Sequence, residues 1–174
     1  KAIRRQRQMC IRDRYLLWSG WKNKRIFEEM QCLYIAEMSD PWTLVSERVL
    51  ISEPKYEWEC QWVGTDGNKT AYPVYVNEMP CLFHSRNKDK LLIYYSASAN
   101  WTPYHCIGLL VASADSDPLS PASWTKLSEP VFRQSPENNA YAPGNICFVP
   151  SPDYKEWYML YLVRNSLHDM LVVD

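Results

Sequence analysis

The stretch Leu91-Leu92-Ile93-Tyr94-Tyr95-Ser96-Ala97-Ser98 decides how the chain is read. It is aromatic and β-branched, it is too short for a helix, and polar clusters bound it on both sides, as they would a buried central strand. Ile107-Gly108-Leu109-Leu110-Val111-Ala112 follows as a second strand, and Asp117-Pro118 with Trp124 marks the turn beyond it. The same order occurs upstream: a strand at 16–20, a strand at Cys32-Leu33-Tyr34-Ile35-Ala36, then the turn Ser39-Asp40-Pro41-Trp42 with its tryptophan as an aromatic plug. A third copy starts at Trp157-Tyr158-Met159-Leu160-Tyr161-Leu162-Val163 and continues through 170–173. The interval is roughly 70 residues, room for four short antiparallel strands and a large loop. No stretch has the periodicity of an amphipathic helix. The expected class is all-β, and a repeated hairpin-plus-turn unit favours a propeller over a sandwich or jelly roll.

Between the first two copies lie a further strand, Arg48-Val49-Leu50-Ile51-Ser52, and a long polar loop over 54–72 whose tightest turn is Asp66-Gly67. Loops of that length in compact domains tend to carry function. The loop leads into Val76-Asn77-Glu78-Met79-Pro80, which sets one carboxylate between an amide and a proline at the mouth of an apolar run. Desolvation disfavours the anion, so a carboxyl held there has a raised pKa and suits a general acid. The alternative is a surface Glu before an edge strand. His84 and His105, in or beside strands, read as hydrogen-bonded structural histidines, and no spacing of His residues suggests a metal.

The chain has 174 residues, enough for one domain with a core, of which 47% are hydrophobic and 22% charged, a globular composition. A net charge of -1 offers no electrostatic footprint for nucleic acid or an anionic membrane. No apolar run approaches the ~20 residues of a membrane span. With only five Gly there is no phosphate-cradling loop. Eight Trp and twelve Tyr supply flat faces that stack on sugar rings as well as pack cores. Cys10, Cys32, Cys60, Cys81, Cys106 and Cys147 form no Cys-x-x-Cys pair and read as buried free thiols, with disulfides left open. The triplets Asn68-Lys69-Thr70 and Asn100-Trp101-Thr102 lean toward a secreted context. Residues 1–14 are basic, aperiodic and without the apolar core of a signal peptide. Met9-Cys10-Ile11-Arg12-Asp13-Arg14 resembles translated adapter sequence. The expected organisation is a non-native or disordered segment over 1–14 and a truncated β-propeller domain over 15–174.

With the repeats and Glu78 in place, the chain resembles glycoside hydrolase family 43, in the branch of α-L-arabinofuranosidases and related β-xylosidases. The motifs that carry the resemblance are Tyr15-Leu16-Leu17-Trp18-Ser19-Gly20-Trp21, the run from Leu33 to Leu44, the run from Arg48 to Glu59, and Val76-Asn77-Glu78-Met79-Pro80, which aligns with Val-Asn-Glu-Gly-Pro around the family's general acid. Ser96-Ala97-Ser98, Trp101-Thr102-Pro103, Ser135-Pro136-Glu137-Asn138 and Tyr141-Ala142-Pro143-Gly144-Asn145-Ile146 follow in order.

The resemblance implies a five-bladed β-propeller, of which this chain covers about three blades as a C-terminal fragment, and an inverting mechanism on arabinose- or xylose-containing plant polysaccharides or oligosaccharides. It implies Glu78 as the acid and sets Asn145 near the propeller axis as a substrate-binding candidate. Trp101 and Tyr141 read either as sugar-stacking faces or as ordinary packing residues, and Arg164 either as a contact for a substrate hydroxyl or carboxylate or as a cation stacked on an aromatic ring. It implies an extracellular or periplasmic setting and no required cofactor, a central Ca2+ near Asn145 being the one metal it suggests. The family's base Asp and pKa-tuning Asp fall in regions upstream of Tyr15, so the fragment alone is expected to be inactive. Three positions depart from the pattern: Met79 for a Gly, Asn145 for a His and Leu162 for a second His. They leave open a rival reading, a non-catalytic sugar- or protein-binding propeller.

Overall fold

A computed structural model describes residues 14–22, 29–61 and 74–165. Ten strands account for most of them: β1 (Tyr15–Trp21), β2 (Glu29–Asp40), β3 (Thr43–Leu44), β4 (Val49–Ser52), β5 (Val74–His84), β6 (Lys90–Ala97), β7 (Cys106–Ser113), β8 (Thr125–Lys126), β9 (Tyr141–Pro150) and β10 (Trp157–Arg164). The only helical turns among the described residues are short 3-10 segments at Glu57–Glu59, Pro121–Ser123 and Pro136–Asn138. The protein is all-β, as its alternating and aromatic-rich runs predict.

The strands fall into three antiparallel groups. β1 pairs β2, which also pairs β3 and β4; β5, β6, β7 and β8 pair in sequence; β9 pairs β10. A short parallel contact, Glu29–Gln31 of β2 against Val74–Val76 of β5, joins the first two groups. No sheet closes on itself among the described residues.

The repeat read from sequence is present in the hydrogen bonds. β1–β2–β3 and β6–β7–β8 have the same order. Asp40 Oδ1 accepts the Trp42 amide at 3.0 Å, and Asp117 Oδ1 accepts the Leu119 amide at 2.9 Å. Both are Asx-type turns set by an Asp-Pro pair.

The two tryptophans part company, however. Trp124 is buried and donates from Nε1 to the Pro118 carbonyl at 2.9 Å, whereas Trp42 is 84% exposed and plugs nothing. The turn chemistry is local and repeats; the cover over it is not. His84 also departs from expectation. It is an exposed residue at the end of β5, and no hydrogen bond to its ring is found among the described residues.

The main core forms where the first two groups face each other. Leu33, Ile35 and Ile51 pack with Ile93, Tyr95, Ala97, Cys106, Leu110 and Trp124. A second, aromatic contact joins β5 and β6 to the last pair of strands: Phe83 lies 4.7 Å from Phe148 and 4.8 Å from Trp157 between ring centroids, and Tyr94 lies 4.9 Å from Phe148. Offset and edge-on rings of this kind add to the area they bury.

The five described cysteines are free. Burial pushes Cys32 up to about 11 and Cys106 up to about 12, so both stay protonated thiols. Cys147 is exposed, unlike the buried thiol expected. Cys10, the turn at 66–67, the triplet at 68–70 and the strand at 170–173 lie outside the described residues, as does the N-terminal segment except Arg14. The Arg14 carbonyl accepts the Met38 amide at 2.8 Å and so continues the β1–β2 ladder.

Among the described residues β10 pairs only with β9, and its Trp157, Tyr158, Leu160, Tyr161 and Leu162 are all at least 41% exposed. An edge that is both unpaired and apolar recruits other strands. The 174-residue polypeptide alone is expected to self-associate. Sedimentation velocity at rising concentration checks this, and a single sharp monomer boundary throughout would refute it.

Candidate active site

Glu78 sits in the first half of β5, opposite Ser96 of β6. The ladder slips immediately afterwards, between Glu78 and Cys81, so the strand bulges on the C-terminal side of the carboxylate. Bulges re-aim a side chain. Here the bulge needs a left-handed residue, and Met79 supplies it at φ 49. That is why a Gly suits this position in the motif the chain resembles. A side chain in that conformation costs roughly 1–2 kcal/mol. Glycine would return about 0.5–1 kcal/mol of that as lost backbone entropy. Met79 is 54% exposed, so little packing is at stake. Met79→Gly is expected to stabilise the protein by about 0.5 kcal/mol, a rise of about 1–2 °C in Tm. A fall in Tm would show that the methionine packs usefully.

The Glu78 carboxyl is half-buried, and burial raises its pKa, with no charged group among the described residues to offset it. Desolvation is the one cause, as the apolar flanks of the motif suggest.

Behind Glu78 lies a feature that sequence reasoning missed. Asn77 is fully buried and its amide is saturated. Oδ1 accepts the Ser52 hydroxyl at 2.7 Å and Lys126 Nζ at 3.0 Å; Nδ2 donates to Glu59 Oε1 at 2.8 Å and to the Val76 carbonyl at 2.9 Å. Glu59 is also fully buried. Its Oε2 accepts the Lys55 and Tyr56 amides at 2.7 and 2.9 Å, and its Oε1 accepts Tyr95 Oη at 2.9 Å and Lys126 Nζ at 2.6 Å. Lys126 completes its set on the Glu53 carbonyl at 2.6 Å. Burial pulls the Lys126 pKa below the usual lysine value, against the upward pull of the Glu59 carboxylate. Three acceptors converge on Nζ, one for each N–H of an ammonium. Tyr95 reaches Glu59 because Gly108 leaves room: a methyl group there would overlap the tyrosine ring. The signal available in the sequence was a carboxylate in Trp58-Glu59-Cys60 and a lysine in a strand beside Trp124, both charges at positions that otherwise read as covered.

The remaining candidates sit on neighbouring elements. The Asn145 amide donates to Ser96 Oγ at 2.9 Å, tying β9 to the residue opposite Glu78. Asn145 is left-handed at φ 53, a conformation that both Asn and His tolerate better than most residues. Tyr141 and Arg164 face each other across β9 and β10, and both are half-buried. Trp101 lies in the loop between β6 and β7, with its Nε1 enclosed and without a hydrogen-bond partner among the described residues. Leu162, opposite Gly144, is 64% exposed. His105 is a structural histidine. It is buried, its Nδ1 is 2.8 Å from the Ser98 carbonyl, and its ring lies against Gly144, where a methyl group would overlap it. Burial lowers its pKa, so it is held neutral.

A resident Ca2+ takes six to eight oxygen ligands. Near Asn145 the described residues bring together no group of three or more His, Cys, Asp or Glu side chains. Those charged side chains of the described residues do not by themselves make a protein-held cation site.

This arrangement of strands is shared with a solved structure, an alpha-L-arabinofuranosidase from Lactobacillus brevis, at a TM-score of 0.72 and 31% identity over 90% of this chain and 45% of that one. Among sequences, the chain is 38% identical over 152 residues to an extracellular exo-alpha-(1->5)-L-arabinofuranosidase of Streptomyces avermitilis, covering 87% of this chain and 28% of that protein. It is 35% identical over 140 residues to alpha-L-arabinofuranosidase 43 of Humicola insolens, covering 80% and 26%. The family model for glycosyl hydrolases family 43 matches residues 11–172. The chain belongs to glycosyl hydrolases family 43. It spans less than half the length of these relatives.

Proposed function

We propose that this chain is part of an extracellular α-L-arabinofuranosidase that cleaves arabinose-containing plant polysaccharides with inversion, Glu78 acting as its general acid. Its three strand groups then make three blades of a five-bladed propeller. The observation that carries the reading is Glu78: a carboxyl raised by burial alone, aimed by a bulge, on the strand the family uses for its acid. A protonated carboxyl gives its proton to the leaving oxygen as the glycosidic bond breaks. A second carboxylate takes a proton from water on the opposite ring face, across roughly 6.5–9.5 Å. By the family pattern that base and the pKa-tuning Asp come from segments outside this sequence, so the complete site needs the full-length protein. Trp101 and Tyr141 serve as stacking faces for sugar rings, and Asn145 and Arg164 bind substrate hydroxyls from β9 and β10.

The test is release of 4-nitrophenol from the aryl α-L-arabinofuranoside and the aryl β-xyloside by the full-length protein. Faster release from the arabinoside supports the reading. Faster release from the xyloside moves the substrate to β-xylosides. No release by a folded protein favours the non-catalytic sugar-binding reading that Met79, Asn145 and Leu162 suggest.

A further inference from the structure

We infer that Glu59 and Lys126 are positioning residues for proton donation: they hold Asn77, and through it the adjacent Glu78, in the geometry that delivers a proton. The inference rests on the reading of Glu78 as the acid. Glu59 is the hub. Its two oxygens take hydrogen bonds from five donors: two backbone amides of the turn before β5, the Tyr95 hydroxyl of β6, the Asn77 amide of β5 and the Lys126 ammonium of β8. Those donors lie on four separate stretches of chain, and the cluster pins them at the residue before the acid. Ser52 of β4, three residues before Lys55, ties that same stretch to Asn77 Oδ1 as well. On the other side of Glu78 the ladder slips at a bulge, where strand pairing is interrupted. The backbone at Glu78 is therefore anchored on its Asn77 side by a buried cluster whose hydrogen bonds are saturated. Neither Glu59 nor Lys126 is within hydrogen-bond distance of Glu78, so both act through Asn77.

A group that aims a proton matters in proportion to how much the leaving group needs one. Nitrophenolate leaves readily without protonation; a simple alcohol does not. The experiment compares 4-nitrophenyl and methyl α-L-arabinofuranoside as substrates for the full-length protein and its Glu59→Gln variant, with kcat normalised to folded protein. The expected result is a fall of about 10- to 100-fold in kcat on the methyl glycoside, part of the 10²–10⁴-fold that acid catalysis supplies, and less than about 3-fold on the nitrophenyl glycoside. KM is expected to stay within about 2-fold on both. If Glu59→Gln does not fold, Tyr95→Phe, which removes one hydroxyl and no volume, takes its place with a smaller split in the same direction, about 3- to 10-fold against none. Equal losses on the two substrates, or no loss on either, overturn the inference while leaving Glu78 as the acid. A folded wild-type protein inactive on both arabinofuranosides and on the aryl β-xyloside overturns the acid reading and this inference with it.

Discussion

Glu78→Gln in the full-length protein is expected to lower kcat on unactivated α-L-arabinofuranosides by 10²–10⁴-fold, the usual contribution of a general acid and about 3–5 kcal/mol of barrier. The nitrophenyl substrate should lose much less. Activity requires the protonated carboxyl. Burial raises the folded pKa of Glu78 above its ordinary value, so wild-type kcat/KM should fall on the alkaline side as pH rises through that raised pKa, while the acid limb of the profile belongs to the base carboxylate. The Gln variant should lack this alkaline limb. The same shift has a stability consequence of defined sign. Below the ordinary glutamate pKa the group is protonated in both folded and unfolded chains, and it costs nothing. As pH rises through the folded pKa, burial of the anion costs stability relative to low pH. Glu78→Gln removes that cost and should raise Tm at pH 7 while leaving Tm at pH 4 nearly unchanged. Urea or thermal unfolding at the two pH values checks this. An unchanged pH–rate profile would mean another group donates the proton, and a lower Tm at pH 7 would mean the anion is paired.

The largest effect on stability is expected at Lys126. Lys126→Ala leaves the fully buried Glu59 carboxylate without its cation, and breaking one side of a buried pair costs about 3–5 kcal/mol. For a protein of this size or larger, that is a fall of about 10 °C in Tm. The pair itself need not be net stabilising, since desolvating both ions offsets much of their attraction. The diagnostic is non-additivity. Combining Lys126→Met with Glu59→Gln should cost less than the sum of the two single changes, by about 0.5–3 kcal/mol. Additive losses would mean that the two residues stabilise the fold independently. A Lys126→Ala change below about 1 kcal/mol would mean that water reaches Glu59 and screens it.

These two residues also mark how far the sequence could be read. The strand at Lys90–Ala97, its hairpin partner at Cys106–Ser113, and their echo in Tyr15–Trp21 and Glu29–Asp40 were legible because strand patterning and Asp-Pro turn chemistry act over a few residues. The raised pKa of Glu78 was legible for the same reason: its apolar and proline neighbours are adjacent in the chain. Trp42 and Trp124 show the boundary. They occupy equivalent turns, yet one is exposed and the other buried, because only Trp124 lies within the core formed between the first two strand groups.

The amino-acid sequence by itself determined an all-β chain of repeated hairpins and singled out one desolvated carboxylate. The tertiary structure decided which charges are buried and what they hold. Ser52 and Glu59 share one stretch of the chain, Asn77, Tyr95 and Lys126 come from three others, and none has a local pattern that calls for the others. Their cluster exists because β4, β5, β6 and β8 converge, together with the turn that precedes β5, and a carboxylate enclosed there is tolerable only when every lone pair finds a donor. The left-handed Met79 is likewise a product of the slipped β5–β6 register rather than of its own preference. Pairing partners and burial are long-range properties, set when sheets close over one another.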